Sequence, residues 1–326
     1  MSELPFVSSL IVVRNEKNYI EKAILSLICQ DYPKDKYEII IVDGISTDGS
    51  MDIVKKIIND NTDVSIRVLN NEKKILATGW NIGIKASKGD FVIRIDAHAE
   101  VDRHFFKKNI ETIQNIDADC VGGKLITKPM SGDNPIVSMV LSSPFGVGNS
   151  SFRVSNKPGY ADTAVYGLYK KSAIERAGFF DERFVRNQDI ELHSRIKKNG
   201  GKFYFNPEIC SYYYSRSSVK KMLRQNFGNG LWNMVLLKHN PRSLSLRHLF
   251  PFLFLCYLLL SIGLGFLTWY IWALAGAVLV LHYIIGFVFS LIETKSIKNL
   301  MVMPFLFFLL HLSYGFGYFC GIFKKI

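Results

Sequence analysis

Two different rhythms of apolar and polar positions divide this chain. Over residues 7–100, short apolar runs alternate with stretches of helical spacing. Val7–Val13 is an apolar run, followed by Tyr19–Cys29, in which Ile20, Ile24, Leu27 and Ile28 share one helical face. Glu38–Val42 is almost continuously β-branched, as in a strand buried on both faces, and ends in Asp43. Ser50–Asn59 and Lys74–Ala86 predict helices; Val64–Leu69 and Phe91–Ile95 predict strands, the second ending in Asp96. Strands alternating with helices predict a parallel sheet. Asp43 and Asp96 then lie just past the C-terminal ends of buried strands, the edge at which open α/β sheets bind ligands.

After Glu100 the rhythm loosens. A helix is predicted over Phe105–Asn115 and a strand over Asp119–Thr127. The Gly/Ser/Asn-rich Ser142–Ser151 predicts a long loop, and Tyr160–Lys170 an extended segment. A helix over Gln188–Lys198 is stopped by Gly200–Gly201, and Lys202–Phe205 predicts a last short strand.

From Leu249 to Ile292 there are 44 consecutive residues without Asp, Glu, Lys or Arg. At ~20 residues per crossing this is about two membrane spans. A third candidate covers Leu300–Ile322, although Pro304, Gly315, Gly317 and Gly321 leave room for a re-entrant or tilted element there. Helices apolar all round for this length do not suit a soluble core. The predicted organisation is an α/β domain over 1–208, a basic amphipathic interfacial segment over 209–248, and a transmembrane region over 249–326. Its spans are about 249–268, 271–292 and 300–322.

Composition sharpens this picture. The 326 residues are 48% hydrophobic and carry a formal charge of +12, which excludes disordered, collagen-like and disulfide-scaffold classes. Residues 209–326 hold eleven Lys and Arg against the single acid Glu293, so nearly all the excess charge borders the apolar runs. Arg216, Lys220, Lys221, Arg224, Lys238, Arg242 and Arg247 precede the first run, and the turn around Gly263–Ile271 has no charge. The positive-inside rule therefore places residues 1–208 in the cytoplasm of a multi-pass inner-membrane protein. A full third crossing would put Lys324 and Lys325 outside, against that rule. The basic residues point to membrane lipids, not nucleic acid. Met1–Pro5 lacks the start of a signal peptide. Cys29, Cys120, Cys210, Cys256 and Cys320 lack metal-site spacing and read as reduced packing residues.

Three constellations carry candidate chemistry. In Asp43-Gly44-Ile45-Ser46-Thr47-Asp48-Gly49-Ser50, Asp48 or Ser50 could simply cap a helix, whereas Asp43 is placed to accept a base N–H. In Asp96-Ala97-His98 the acid and imidazole, two residues apart, can face one cation. Mg²⁺ or Mn²⁺ suits such ligands, the imidazole favouring Mn²⁺. The third is Gln188-Asp189-Ile190-Glu191. On a helix Asp189 and Glu191 lie roughly 200° apart; Glu191 suits an i,i+4 pair with Arg195, and Leu192 with Ile196 forms the packing face. Asp189 is either a dipole contact at the helix start or a general base. His282 and His311, inside apolar runs, suit hydrogen bonds between helices better than function.

Order and spacing together make the chain resemble glycosyltransferase family 2, with the GT-A fold, and within it the membrane-bound exopolysaccharide, succinoglycan-type branch. The likeness spans roughly residues 6–252. It rests on SLIVVRNEKNYIEKAILSLICQDYP, IIIVDGISTDGS, NIGIKASKGDFVIRIDAHAEV, SPFGVGNSSFR, DTAVYGLYKKSAIERAGFFDERFVRNQDIELHSRIKKNGGKFYFNP and YSRSSVKKMLRQNFGNGLWN. It implies a Rossmann-like mixed sheet flanked by helices, followed by an interfacial helix and about three C-terminal transmembrane helices. It implies nucleotide contacts at Asn15 and Glu16, a uracil-reading acid at Asp43 supported by Asp48, and a Mn²⁺ or Mg²⁺ site at Asp96 and His98. Here His98 stands where the commonest family form has Asp. Asp189 matches the catalytic base, with Gln188 in place of the commoner Glu. Asp162, Arg216, Gln225 and Trp232 are implied near acceptor or diphosphate. Gly228, Asn229 and Asn233 depart from the family's usual residues, and the QxxRW motif of processive synthases is absent after Gln225. The implied activity is inverting transfer of one sugar from a nucleotide-diphosphosugar, a UDP-sugar, to a lipid-linked polyprenyl acceptor. Transfer directly to polyprenyl phosphate, or a non-catalytic scaffold of a polysaccharide assembly complex, are the alternatives.

Overall fold

The structure, a computed structural model, describes residues 4–129, 135–148, 150–214 and 218–326. The strands are β1 (Val7–Val13), β2 (Tyr37–Asp43), β3 (Ser65–Asn70), β4 (Phe91–Asp96), β5 (Ala99–Val101), β6 (Cys120–Lys128), β7 (Gly159–Ala161), β8 (Leu168–Lys170) and β9 (Phe203–Tyr214). Among the described residues before 214 the helices are α1 (Ile20–Ile28), α2 (Ser50–Asp60), α3 (Leu76–Ala86), α4 (Phe105–Asn115), α5 (Ile136–Ser142), α6 (Pro144–Val147), α7 (Ser151–Val154), α8 (Lys171–Ala177) and α9 (Gln188–Lys198). Four longer ones follow: α10 (Val219–His239), α11 (Phe250–Leu264), α12 (Trp269–Glu293) and α13 (Ile297–Phe323). The chain forms two compact units: Met1–Ile126 with Ser155–Tyr214, and Thr127–Val154 with Ser215–Ile326.

In the first unit the sheet order is β3-β2-β1-β4-β8-β6-β9-β5, with β7 also on β9. The first four strands are parallel; β8 runs antiparallel to β4 and β6. Every residue of β2 is buried, as its β-branched run requires, whereas the outer strand β3 is half-exposed. Register places Asp43 opposite Val13 and Asp96 opposite Val12, so the two acids flank β1 at one edge. Two strand spacings separate them, roughly 10 Å. Leu10, Ile40, Trp80, Tyr169, Leu192 and Phe203 centre the core beneath that edge. Each such side chain contributes on the order of 1.5–3 kcal/mol on burial. Gly79 lets α3 sit directly on β1, since a Cβ there would lie 2.6 Å from Val12 Cγ1.

Three expectations need correction. Ser142–Ser151 is not one long loop: Pro144 starts α6, its fixed φ suiting a first helical turn. Tyr160–Lys170 is not continuously extended, because β7 ends at Ala161 and β8 begins at Leu168. The last strand is not four residues but the twelve of β9. Pro207 falls between the stretch paired with β7 and the stretch paired with β5, so the proline does not end the strand.

In the second unit α12 and α13 are long and apolar enough to cross a membrane, with mean hydropathy 2.3 and 1.7. At 1.5 Å per residue they span roughly 37 and 40 Å, while the 15 residues of α11 reach only about 22 Å. The region expected as the third span is one continuous helix with Pro304 inside it, not a broken element. His282 and His311 bond to each other at 3.0 Å, joining α12 to α13 as the sequence suggested.

Candidate active site

The C-terminal edge of the sheet opens into a cleft of about 220 Å³ at the point where strand order reverses around β1. Val12, Val13, Arg14 and Glu16 line it from the end of β1, and Asp96, Ala97 and His98 from the end of β4. Gly44, Asn71 and Lys74 close it from the β2 and β3 sides.

Two loops forming one wall are laced together. Asn15, at φ +57, donates its N–H to Ser46 Oγ and accepts from the Thr47 N–H at 2.8 Å. The Glu16 N–H donates to Ser50 Oγ, and the Lys17 N–H to Asp48 Oδ2. Asp48 also accepts from Ser50 Oγ at 2.5 Å and from the Ser50 N–H. The Ser50 hydroxyl first, then these backbone donors, hold its carboxyl below the usual carboxylate range despite its exposure. Asp43 is 8% exposed and accepts from the Ser46 N–H and hydroxyl, the latter at 2.7 Å. Next to it Ile45 stands exposed at φ +59, a strained conformation for a β-branched residue.

On the opposite wall Asp96 Oδ2 accepts from the Tyr166 hydroxyl at 3.0 Å. His98 Nδ1 lies 3.4 Å from Glu16 Oε1, its ring edge-on to Tyr19 and Tyr213. Asp96 and His98 therefore share the cleft. An oxygen and an imidazole donor fit Mn²⁺ or Mg²⁺. Among the described residues no group of three or more His, Cys, Asp or Glu is placed to hold a metal ion.

Behind this edge lies a buried polar chain that sequence reasoning missed. Arg94, 7% exposed in the middle of β4, has its guanidinium 5.0, 5.3 and 5.7 Å from the rings of Phe180, Trp80 and Tyr169. Burial works against its charge, but Tyr169, Asp189 and Asp96 outweigh burial and raise its pKa. Burial pushes the pKa of the Tyr169 hydroxyl far up, and its oxygen is hydrogen-bonded to His193 Nε2 at 2.6 Å. The other ring nitrogen, Nδ1, is hydrogen-bonded to Thr163 Oγ1 at 2.7 Å. Asp189 is one turn before His193 in α9 and feels the charge of Arg94. Its Oδ1 accepts from the Ile190 N–H. The signal available in sequence was an arginine inside an otherwise apolar strand, since unpaired arginines are almost never fully buried. Glu191 pairs with Arg195 through two bonds of 2.5 and 2.7 Å, and Leu192 and Ile196 are buried, as periodicity required.

Asp162 is not among the residues that line the cleft. It is exposed, with Lys197 Nζ at 3.6 Å. Gln225 and Trp232 belong to α10 in the second unit, where Lys324 Nζ sits 5.5 Å from the Trp232 ring centre. Arg216 lies outside the described residues.

Comparison with known proteins places this geometry. Residues 8–176 match Glycosyl transferase family 2. The chain is 36% identical, over 98% of both chains, to a Methanococcus voltae protein. That protein is described as dolichyl N-acetyl-alpha-D-glucosaminyl phosphate 3-beta-D-2,3-diacetamido-2,3-dideoxy-beta-D-glucuronosyltransferase. It is 29% identical, over 76% of both chains, to the succinoglycan biosynthesis protein ExoA of Rhizobium meliloti. In fold it is similar to a mannosyltransferase from Pyrobaculum calidifontis solved with GDP-Man and Mn²⁺. That likeness has a TM-score of 0.62 at 15% identity and covers 96% of this chain and 88% of the other.

Proposed function

Because the chain belongs to glycosyl transferase family 2, we propose that it moves one sugar, with inversion, from a UDP-sugar to a lipid-linked glycan acceptor in cell-surface glycan synthesis. The observation that carries this is the shared cleft: Glu16, Asp96 and His98 line it at the switch point of the sheet, and Asp43 ends β2 just before Gly44, which also lines it. In this reading residues 1–208 are the catalytic domain, 209–248 the basic segment against the bilayer, and 249–326 the multi-pass anchor. The catalytic domain faces the cytoplasm, which the charge distribution supports. A lipid-linked acceptor is supported by the name of the Methanococcus voltae relative.

Asp43 accepts the uracil N–H, with Ser46 holding its carboxylate in place. Asn15 and Glu16 contact the nucleotide, and Asp48 ties together the two loops of that wall. Asp96 and His98 would hold the divalent cation, which supplies charge neutralisation for the departing diphosphate. Asp189 takes the proton from the acceptor hydroxyl. The acceptor oxygen bonds to the anomeric carbon as the bond from that carbon to the diphosphate oxygen breaks, and the nucleoside diphosphate leaves with that electron pair. One base and no covalent nucleophile make this a single displacement, so an α-linked donor gives a β-linked product. Asp162, Arg216, Gln225 and Trp232 are assigned to the acceptor or diphosphate side.

The test is transfer of labelled sugar from a panel of UDP- and GDP-sugars into lipid-extractable glycan by membranes containing the full chain. Asp189→Asn is expected to lower turnover by about 10²–10⁴-fold while donor binding persists. No turnover with any nucleotide sugar would sink the enzymatic reading and favour a scaffold.

A further inference from the structure

The expected third span contains a contradiction that the second unit resolves. Helix α10 does not stand apart from α13 but runs along it in parallel register. Ser313 Oγ donates to the Leu223 carbonyl at 2.7 Å. A Cβ added to Gly317 would fall on the Phe227 carbonyl, and one added to Gly321 on the Leu231 carbonyl. Near the ends, Lys238 Nζ donates to the carbonyls of Ile322 and Lys324, both at 2.9 Å. Small residues permit this close approach over about three turns.

The consequence concerns the start of α10. Lys220, Lys221 and Arg224 are exposed there. Met222 beside them packs with Met303, Leu306, Phe307 and Leu310, the middle of the 27-residue α13. If α13 crossed a bilayer, three exposed cations would lie near its mid-depth. An exposed cation at that depth, away from water and headgroups, is strongly disfavoured. The first half of α13 is further covered by α5 and α6: His311 Nε2 donates to the Phe145 carbonyl at 2.8 Å, and the Phe145 ring packs on Phe307.

The α11–α12 hairpin has a different setting. It meets α13 at its base, through Phe252 on Tyr318, Phe254 on Phe308, His282 on His311 and Gly286 against Pro304. Its arms are held together further out by Trp272 Nε1 on the Ile262 carbonyl. From His282, the outermost of these contacts, to Trp269 the helix rises roughly 20 Å, about two-thirds of the ~30 Å of a hydrocarbon core. The tip carries exposed Phe266, Trp269 and Tyr270, the residues that collect at membrane interfaces, and no charge.

We infer that α13 lies along the cytoplasmic surface of the bilayer beside α10, and that the α11–α12 hairpin is the part of the chain that enters the hydrocarbon. The partner surface is anionic lipid headgroup, met by the bases of α10 and by Lys295, Lys298, Lys324 and Lys325. All of these then share one side. A crossing by α13 would strand one lysine pair on the other side: Lys324 and Lys325 with three spans, Lys295 and Lys298 with α12 and α13 alone. The inference rests on the membrane-anchored reading above.

Lys198→Cys, Lys295→Cys and Lys325→Cys, each introduced singly into a full-length chain whose native cysteines are replaced by alanine, test it with a membrane-impermeant maleimide. Right-side-out and inverted vesicles are compared. All three positions are expected to label from the same face. Labelling of position 295 or 325 from the face opposite to 198 overturns the inference. The face at which 198 labels reports separately on the cytoplasmic orientation, and release of the chain by alkaline carbonate would sink the membrane reading itself. Should the cysteine-free chain misfold, epitopes at the C-terminus and between Thr294 and Lys295 of the otherwise native chain give the same readout. Protease should remove both from the vesicles in which it digests the catalytic domain, and protection of either refutes the placement of α13.

Discussion

Acidification should act on the catalytic unit through His193. The ring is 2% exposed, packed 4.7 Å from the Phe203 ring and bonded at both nitrogens. Burial pushes its pKa down to about 3; Asp189 opposes this, and Arg94 and Lys197 add to it. Between pH 6.5 and 3 the unfolded chain therefore binds a proton that the folded chain refuses. Stability must fall as pH falls through that window, by about 1.4 kcal/mol per unit, or roughly 3 kcal/mol between pH 6.5 and 4.5. His193→Gln keeps both a donor and an acceptor for Thr163 and Tyr169 but cannot titrate. The measurement is the urea midpoint of full-length wild type and variant in detergent at pH 7 and 4.5. The wild type is expected to lose roughly 3 kcal/mol more than the variant. Equal losses in the two proteins would refute the argument, because the proton uptake would then lie elsewhere. Since Asp189 is one turn away on the same helix, transfer activity should fall on the acid side in step with the loss of α9 packing.

Asp43→Ala removes a charged acceptor worth roughly 1.5–3 kcal/mol. The donor KM should rise about 10- to 100-fold with a smaller change in kcat, and an unchanged KM would remove Asp43 from the nucleotide site. Chelation by EDTA should abolish transfer and added Mn²⁺ or Mg²⁺ restore it; transfer that persists in EDTA would exclude a divalent cation at Asp96 and His98. Gly230→Ala places a methyl on the Tyr314 carbonyl, so α10 and α13 must separate at a cost of about 1–3 kcal/mol. A thermal midpoint equal to wild type would contradict that packing. Glu191→Leu removes the ion-pair partner of the half-buried Arg195, which keeps its bonds to the Ala177 and Phe179 carbonyls, and should destabilise by about 3 kcal/mol, without changing the donor KM when assayed below the unfolding transition.

The sequence alone determined whatever depends on local period and strand ends. The fully buried β2 follows from a β-branched run, α9 from its apolar spacing and glycine stop, and the position of Asp43 and Asp96 from the fact that each terminates a parallel strand. Elements whose pattern is local were legible because the same residues that form them also pack them. Arg94 was not, because a single charge in an apolar strand has no meaning until Trp80, Phe180, Tyr169 and the first turn of α9 converge on it from four separate segments. The fate of the last apolar stretch was equally hidden. Hydropathy measures how well a helix suits lipid on every side, and α13 is long and apolar enough to qualify. Only the tertiary structure lays α10, α5 and α6 along that helix and brings exposed cations level with its centre. The neighbours of a helix, and not its own residues, then decide whether it crosses the membrane or lies upon it.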